Sequence, residues 1–187
     1  MYWISLSLFA VVVTLSVIGV LLDRFNRRMI IEDKDLIDAP EMSDYVESMI
    51  SSGKFPKTTK ILFDDITSDN AVTGTLNNKP AFRLPKGKMS RRVFLHEMGH
   101  GHVGAKRVKQ GKEFALWELN SFKSYLARPI GLLFMEELRA WKEGGVSMKD
   151  RMVRIQLIYS GLLSVNAIFE ILTILVFSSA IIKSIIF

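Results

Sequence analysis

The chain has 187 residues, 49% of them hydrophobic and 24% charged, with a net charge of +6 and no cysteine. That length has room for one compact domain of modest size. The lack of cysteine excludes disulfides and thiolate ligands, so a metal site here must be built from imidazole and carboxylate.

In chain order, Tyr2 to Leu22 carries no charged side chain and is long enough to cross a bilayer as a helix. With neither a basic start nor a small-residue cleavage site, it reads as a retained anchor over 1–22, the alternative being a cleavable signal peptide. The charged run Glu32 to Asp38 reads as a connector. Pro40 then sits where a first helical turn tolerates proline, and Met42, Tyr45, Val46, Met49 and Ile50 recur at the spacing of one helix face until Ser51, Ser52 and Gly53 end the pattern.

Lys60 to Ile66, Ala71 to Leu76 and Ala81 to Leu84 are short runs rich in β-formers, separated by Ser68, Asp69, Asn70 and by Asn77, Asn78. They predict a small antiparallel sheet. Pro80 and Pro85 bracket the last run, which makes it an expected edge strand, able to hold an extended peptide by backbone pairing. Ser90 is the expected N-cap of a helix running to about Val108. An aromatic helix is expected over 113–127, followed by a third from Pro129 that ends at Gly144 and Gly145. Ser147 and Asp150 form an expected capping pair ahead of the last helix.

Residues 155–187 are overwhelmingly apolar and form an expected second crossing. Arg24, Arg27 and Arg28 follow the first apolar segment, and Lys149, Arg151 and Arg154 precede the second. The positive flanks therefore place the intervening domain, 23–154, on the cytoplasmic side. These clusters, with Lys86, Lys88, Arg91 and Arg92, account for the positive charge as affinity for anionic lipid, so no nucleic-acid partner is required. Asn166 and Glu170, four apart within the apolar segment, predict a helix–helix contact, with a homo-oligomer through the C-terminal helix favoured over an intramembrane active group.

His96-Glu97-Met98-Gly99-His100 is an H-E-x-x-H motif, and it contains two of the three histidines in the chain. Residues four apart share a helix face, so two imidazoles can converge on one tetrahedral metal while the neighbouring Glu97 reaches the water to be activated. A catalytic site of this kind needs a third protein ligand and an open position. Glu137 is the expected third ligand, with Glu136 and Glu118 as alternatives; otherwise the Glu136–Glu137 pair is a solvated face partnered by Arg139 and Lys142. Gly99 and Ala140 are small enough to let the two helices cross closely. His102 points about 200° round the helix from His100, away from the metal face. Tyr125, Arg128 and Arg139 are candidates for steadying an oxyanion.

The HEMGH helix together with Glu137-x-x-Ala140 resembles the gluzincin class of zinc metallopeptidases, and among them it is similar to the membrane-embedded HtpX-like group and its reduced relatives. The likeness covers about Ile61 to Trp141, and Trp141 stands where that group usually carries Asp. The resemblance implies an α+β zincin-like domain flanked by transmembrane helices. It further implies Zn2+ on His96, His100 and Glu137, with Glu97 as general base for hydrolysis of protein or peptide substrates, membrane proteins included. The alternatives are a zincin-like membrane module that no longer cleaves and a structural membrane protein in which the motif is accidental.

Overall fold

The computed structural model describes residues 2–77, 79–112, 114 and 131–186. The described fold is α+β, with five helices and two small sheets: α1 (Tyr2–Ile31), β1 (Leu36–Ile37), α2 (Ala39–Ser51), β2 (Lys60–Asp64), β3 (Val72–Leu76), β4 (Lys79–Pro85), β5 (Met89–Ser90), α3 (Arg91–Lys109), α4 (Leu132–Glu143) and α5 (Arg151–Ile186). A short 3-10 turn, Ser68–Asn70, precedes β3.

The first and last helices are the longest. Trp3–Ile31 and Arg151–Ile182 are long and apolar enough, by length and composition, to cross a membrane. The two helices pack on each other. Their outer faces leave Phe9, Val13, Leu21, Ile174, Leu175 and Ile181 exposed. The helix of the first segment does not stop where its apolar run stops at Leu22 but continues through its charged residues to Ile31.

Between them lies a core built around α3. Phe82 and Leu84 of β4, Met42 and Val46 of α2, and Phe94 and Met98 of α3 are fully buried together. The expected amphipathic helix is α2: Asp38 caps it by accepting from the Glu41 N–H at 3.0 Å, with proline in its first turn, and Gly53 beyond its end adopts φ 71°. The Ser90 cap also forms, its Oγ accepting from the Val93 N–H at 3.4 Å. The connector Glu32–Asp38 holds more structure than its composition predicts, because Leu36–Ile37 pairs antiparallel with Met89–Ser90. This ladder straps the end of α1 to the start of α3.

The sheet departs from the expectation. Its order is β2-β4-β3, with β4 antiparallel to β3 but parallel to β2, so it is a mixed sheet and Ala81 to Leu84 is its central strand. Pro80 and Pro85 sit towards the two ends of β4, where a missing N–H leaves the middle of the ladder intact, and Ala81, Phe82 and Leu84 between them are buried. Asn77, at φ 52°, makes the tight return from β3 to β4. The expected role of Ala81 to Leu84 as a peptide-binding edge therefore falls, and the outer strands of the three are β2 and β3.

The caps ahead of α5 also differ. Asp150 is itself the cap, its Oδ1 accepting from the Met152 N–H at 2.8 Å, while the Ser147 Oγ accepts from the Lys149 N–H at 3.3 Å. The aromatic helix expected over 113–127 lies outside the described residues apart from Phe114, as do the expected start at Pro129 and the side chains of Glu118, Tyr125 and Arg128.

Candidate metal centre

Two helices cross at the motif, and glycine makes the crossing possible. A Cβ built on Gly99 of α3 would lie 1.8 Å from the Ala140 carbonyl oxygen of α4, and one on Gly144 would lie 2.2 Å from the Leu95 carbonyl oxygen. Backbone therefore lies directly on backbone. This brings Glu137, on the buried side of α4, over the two imidazoles of α3.

His96 Nε2 and His100 Nε2 are 3.2 Å apart, Glu137 Oε2 is 3.2 Å from His96 Nε2, and Glu137 Oε1 is 3.6 Å from His100 Nε2. Ligand atoms at about 2.0–2.1 Å in a tetrahedral array are about 3.4 Å from each other; the two imidazole nitrogens are near that spacing, each faces a different oxygen of Glu137, and one atom from each of the three side chains lies within 4.8 Å of the others. The chemistry of the donor set agrees: two imidazoles and one carboxylate, with Glu137 Oε2 buried and lacking a hydrogen-bond partner among the described residues. His96, His100 and Glu137 thus lie close enough to bind a metal ion.

Without the ion, the site is held by its own charges. Burial alone pushes the His100 imidazole down, but the Glu136 and Glu137 carboxylates and the charge of Glu97 outweigh it and raise the group to about 10. Burial likewise pushes Glu137 up, and the two imidazoles more than reverse this, holding its carboxyl well below the usual carboxylate range. Glu136, the alternative ligand, is buried with Oε1 3.9 Å from His100 Nδ1, on the far side of that ring from Glu137. It is placed to orient His100 rather than to join the ligand set.

Glu97 is buried beside the group. The Thr73 hydroxyl on β3 lies 2.7 Å from Glu97 Oε2 and 2.8 Å from the Glu97 carbonyl oxygen, which holds one oxygen of that carboxylate in place. Nothing in the sequence marks Thr73, because a threonine in a strand is ordinary. Trp141 stacks on the His96 ring, centroids 4.1 Å apart at 27°, and locks it by contact while His96 Nδ1 has no hydrogen-bond partner among the described residues.

The group lines a cavity of about 230 Å³ that is also walled by the two long apolar helices, through Asn26 and Arg27 from α1 and Gln156 from α5, with Asn26 Nδ2 donating to Gln156 Oε1 at 2.6 Å. Arg27 bridges Asp23 at 2.8 Å and Asp69 at 2.6 Å. The sequence gives no sign that the first apolar helix continues into the site. Of the other expected groups, His102 is half-buried against Phe55 (ring centroids 4.8 Å) in a separate depression with Lys54, Lys106 and Glu143. Arg139 is exposed and does not line the cavity. Several of the cations that the sequence reading turned towards lipid also form ion pairs within the chain: Arg91 pairs with Asp35 and Glu41, Arg92 with Asp33 and Asp150, and Lys86 with Asp65.

Fold and site together define an α+β protein with two helices capable of crossing a membrane and a two-histidine, one-carboxylate group able to hold a metal ion. No protein-family model, no curated protein and no solved structure matches the chain.

Proposed function

We propose that the protein is a membrane-anchored, zinc-dependent peptidase of gluzincin type, with its zincin-like domain on the cytoplasmic side and protein or peptide segments near the bilayer as substrates. The carrying observation is that His96, His100 and Glu137, from two distant helices, offer three ligand atoms within 4.8 Å of one another while Glu97, held by Thr73, borders the same cavity.

Zinc suits two imidazoles and a carboxylate, and when bound there it supplies a Lewis acid that polarises a carbonyl and lowers the pKa of water. Glu97 Oε1 takes the proton from the attacking water as the new C–O bond forms, and passes it to the amide nitrogen as the C–N bond breaks. Thr73 keeps the second oxygen of that carboxylate turned away. Trp141 and Glu136 hold the two imidazoles in place, and the α1 and α5 wall keeps bulk water from one side of the cavity. The outward apolar faces of α1 and α5 and the basic residues at their inner ends support the anchoring and its side.

The test is elemental analysis of the detergent-solubilised chain together with cleavage of a quenched soluble peptide. One zinc per chain is expected, and Glu97→Gln should retain it while losing about a thousandfold in turnover. A wild-type chain without zinc, or a Glu97→Gln variant that still turns over, would overturn the proposal.

A further inference from the structure

The metal cavity shares one residue of its α1–α5 wall with a second space. Asp23 borders the cavity and also borders a groove that runs along the seam between the two long helices, lined by Ser16, Gly19 and Val20 of α1 and by Leu162, Leu163 and Asn166 of α5. On each helix these positions recur at three- and four-residue spacing, so each helix presents one face to the groove. The groove therefore runs along the apolar span and reaches Asp23, the residue it shares with the lining of the metal cavity.

Two independent features show that it is more than imperfect packing. A Cβ on Gly19 would meet only Leu162 at 3.8 Å and Tyr159 at 4.0 Å, which are ordinary contacts. Gly19 is therefore not needed for α1 and α5 to approach, and its missing side chain leaves a notch. At the deep end Asn166 is only 8% exposed; its Nδ2 donates to Glu170 Oε1 at 2.8 Å and lies 3.3 Å from Ser16 Oγ, while its Oδ1 has no partner among the described residues. Inside a hydrocarbon layer an unmatched buried acceptor is costly and is relieved by a donor brought by a neighbouring helix. A lipid tail brings none.

We propose that this groove docks the transmembrane helix of the substrate, seating a small residue in the Gly19 notch and a side-chain hydroxyl on Asn166, so that the segment just outside the membrane enters the metal cavity past Asp23. This rests on the peptidase reading and names its substrate class: single-span helices carrying a serine or threonine at mid-depth.

Binding can be read without cleavage, using the full-length Glu97→Gln chain in phosphatidylcholine vesicles. The probes are two fluorescent synthetic helices, one of leucine throughout its apolar stretch and one with a central Ser-x-x-Gly. Saturable energy transfer is expected with the serine helix, with affinity about fivefold above the all-leucine helix. Gly19→Leu should weaken it about tenfold, and Asn166→Leu should erase the preference. A photo-crosslinker at Leu163 needs no cavity-filling change; it should capture the serine helix, while one at the outward Ile174, 57% exposed, should not. Equal affinity for both helices, capture at both positions, or a groove occupied by a second copy of the chain that the probes do not displace would overturn the docking proposal. Hydrolysis of soluble peptides is read separately and stands or falls on its own.

Discussion

Glu137 is pulled in opposite directions by burial and by two imidazoles, and the imidazoles win. The pH dependence follows from that balance. His100 is raised from 6.5 to about 10 in the folded, metal-free protein, so its contribution to stability is fully present below about 6.5 and is lost as pH rises through about 10. Glu137 is lowered from 4.5, so its contribution is present above about 4.5 and is lost only as pH falls further into the acid range. Since a ligating imidazole must be neutral, zinc has to displace the His100 proton. Zinc affinity should accordingly climb about tenfold per pH unit between about 7 and 9, with one proton released per ion, measurable by titration calorimetry in buffers of different ionisation enthalpy. Thr73→Val removes the hydroxyl beside Glu97 without touching a ligand. It should leave zinc content unchanged and lower kcat about tenfold with little change in KM, in a steady-state assay on the quenched peptide.

At the scale of elements, the crossing of α3 and α4 is set by what glycine lacks. Alanine at position 99 would favour an isolated helix by about 1 kcal/mol, yet its Cβ would overlap a carbonyl oxygen at 1.8 Å. The overlap is the larger effect, because the atom it meets is backbone, which cannot rotate away. Gly99→Ala should therefore destabilise the fold by about 3 kcal/mol and release zinc, seen as a lower melting temperature in detergent together with loss of bound metal. A variant that melts at the wild-type temperature with full zinc would show that the helices do not touch there. The sequence already held this crossing, since Gly99 and Ala140 are the small residues opposite each other. It did not hold the mixed sheet, because periodicity marks strands but not their partners, and the proline pair that pointed to an edge is equally at home near the ends of a central strand.

At the scale of the whole molecule, Arg92 ties three parts together. One turn ahead of His96, it lies 2.8 Å from Asp33, just beyond α1, and 3.2 Å from Asp150, the cap of α5. Asp33 is only 4% exposed, so removing its cation strands a buried charge, although the Arg92 end is 38% exposed and solvent screens part of the effect. Arg92→Ala should cost about 2 kcal/mol and speed zinc loss, because both long helices are freed from the motif helix at once; chelator-driven zinc release followed by fluorescence would measure it.

The order of the segments, the two apolar helices, the cap at Ser90 and the grouping of His96, Glu97 and His100 were all written in the sequence, because each depends on spacing within one helix or on the composition of one run. Glu137 was legible as a candidate, but only the crossing at Gly99 separates it from Glu136, which ends up behind His100. Thr73, the wall of Asn26 and Gln156 and the strap from β1 to β5 were not legible, because each joins residues far apart in the chain. Local pattern determines which side chains share a face. Which faces then meet is decided by the packing of every element at once, and that exists only in three dimensions.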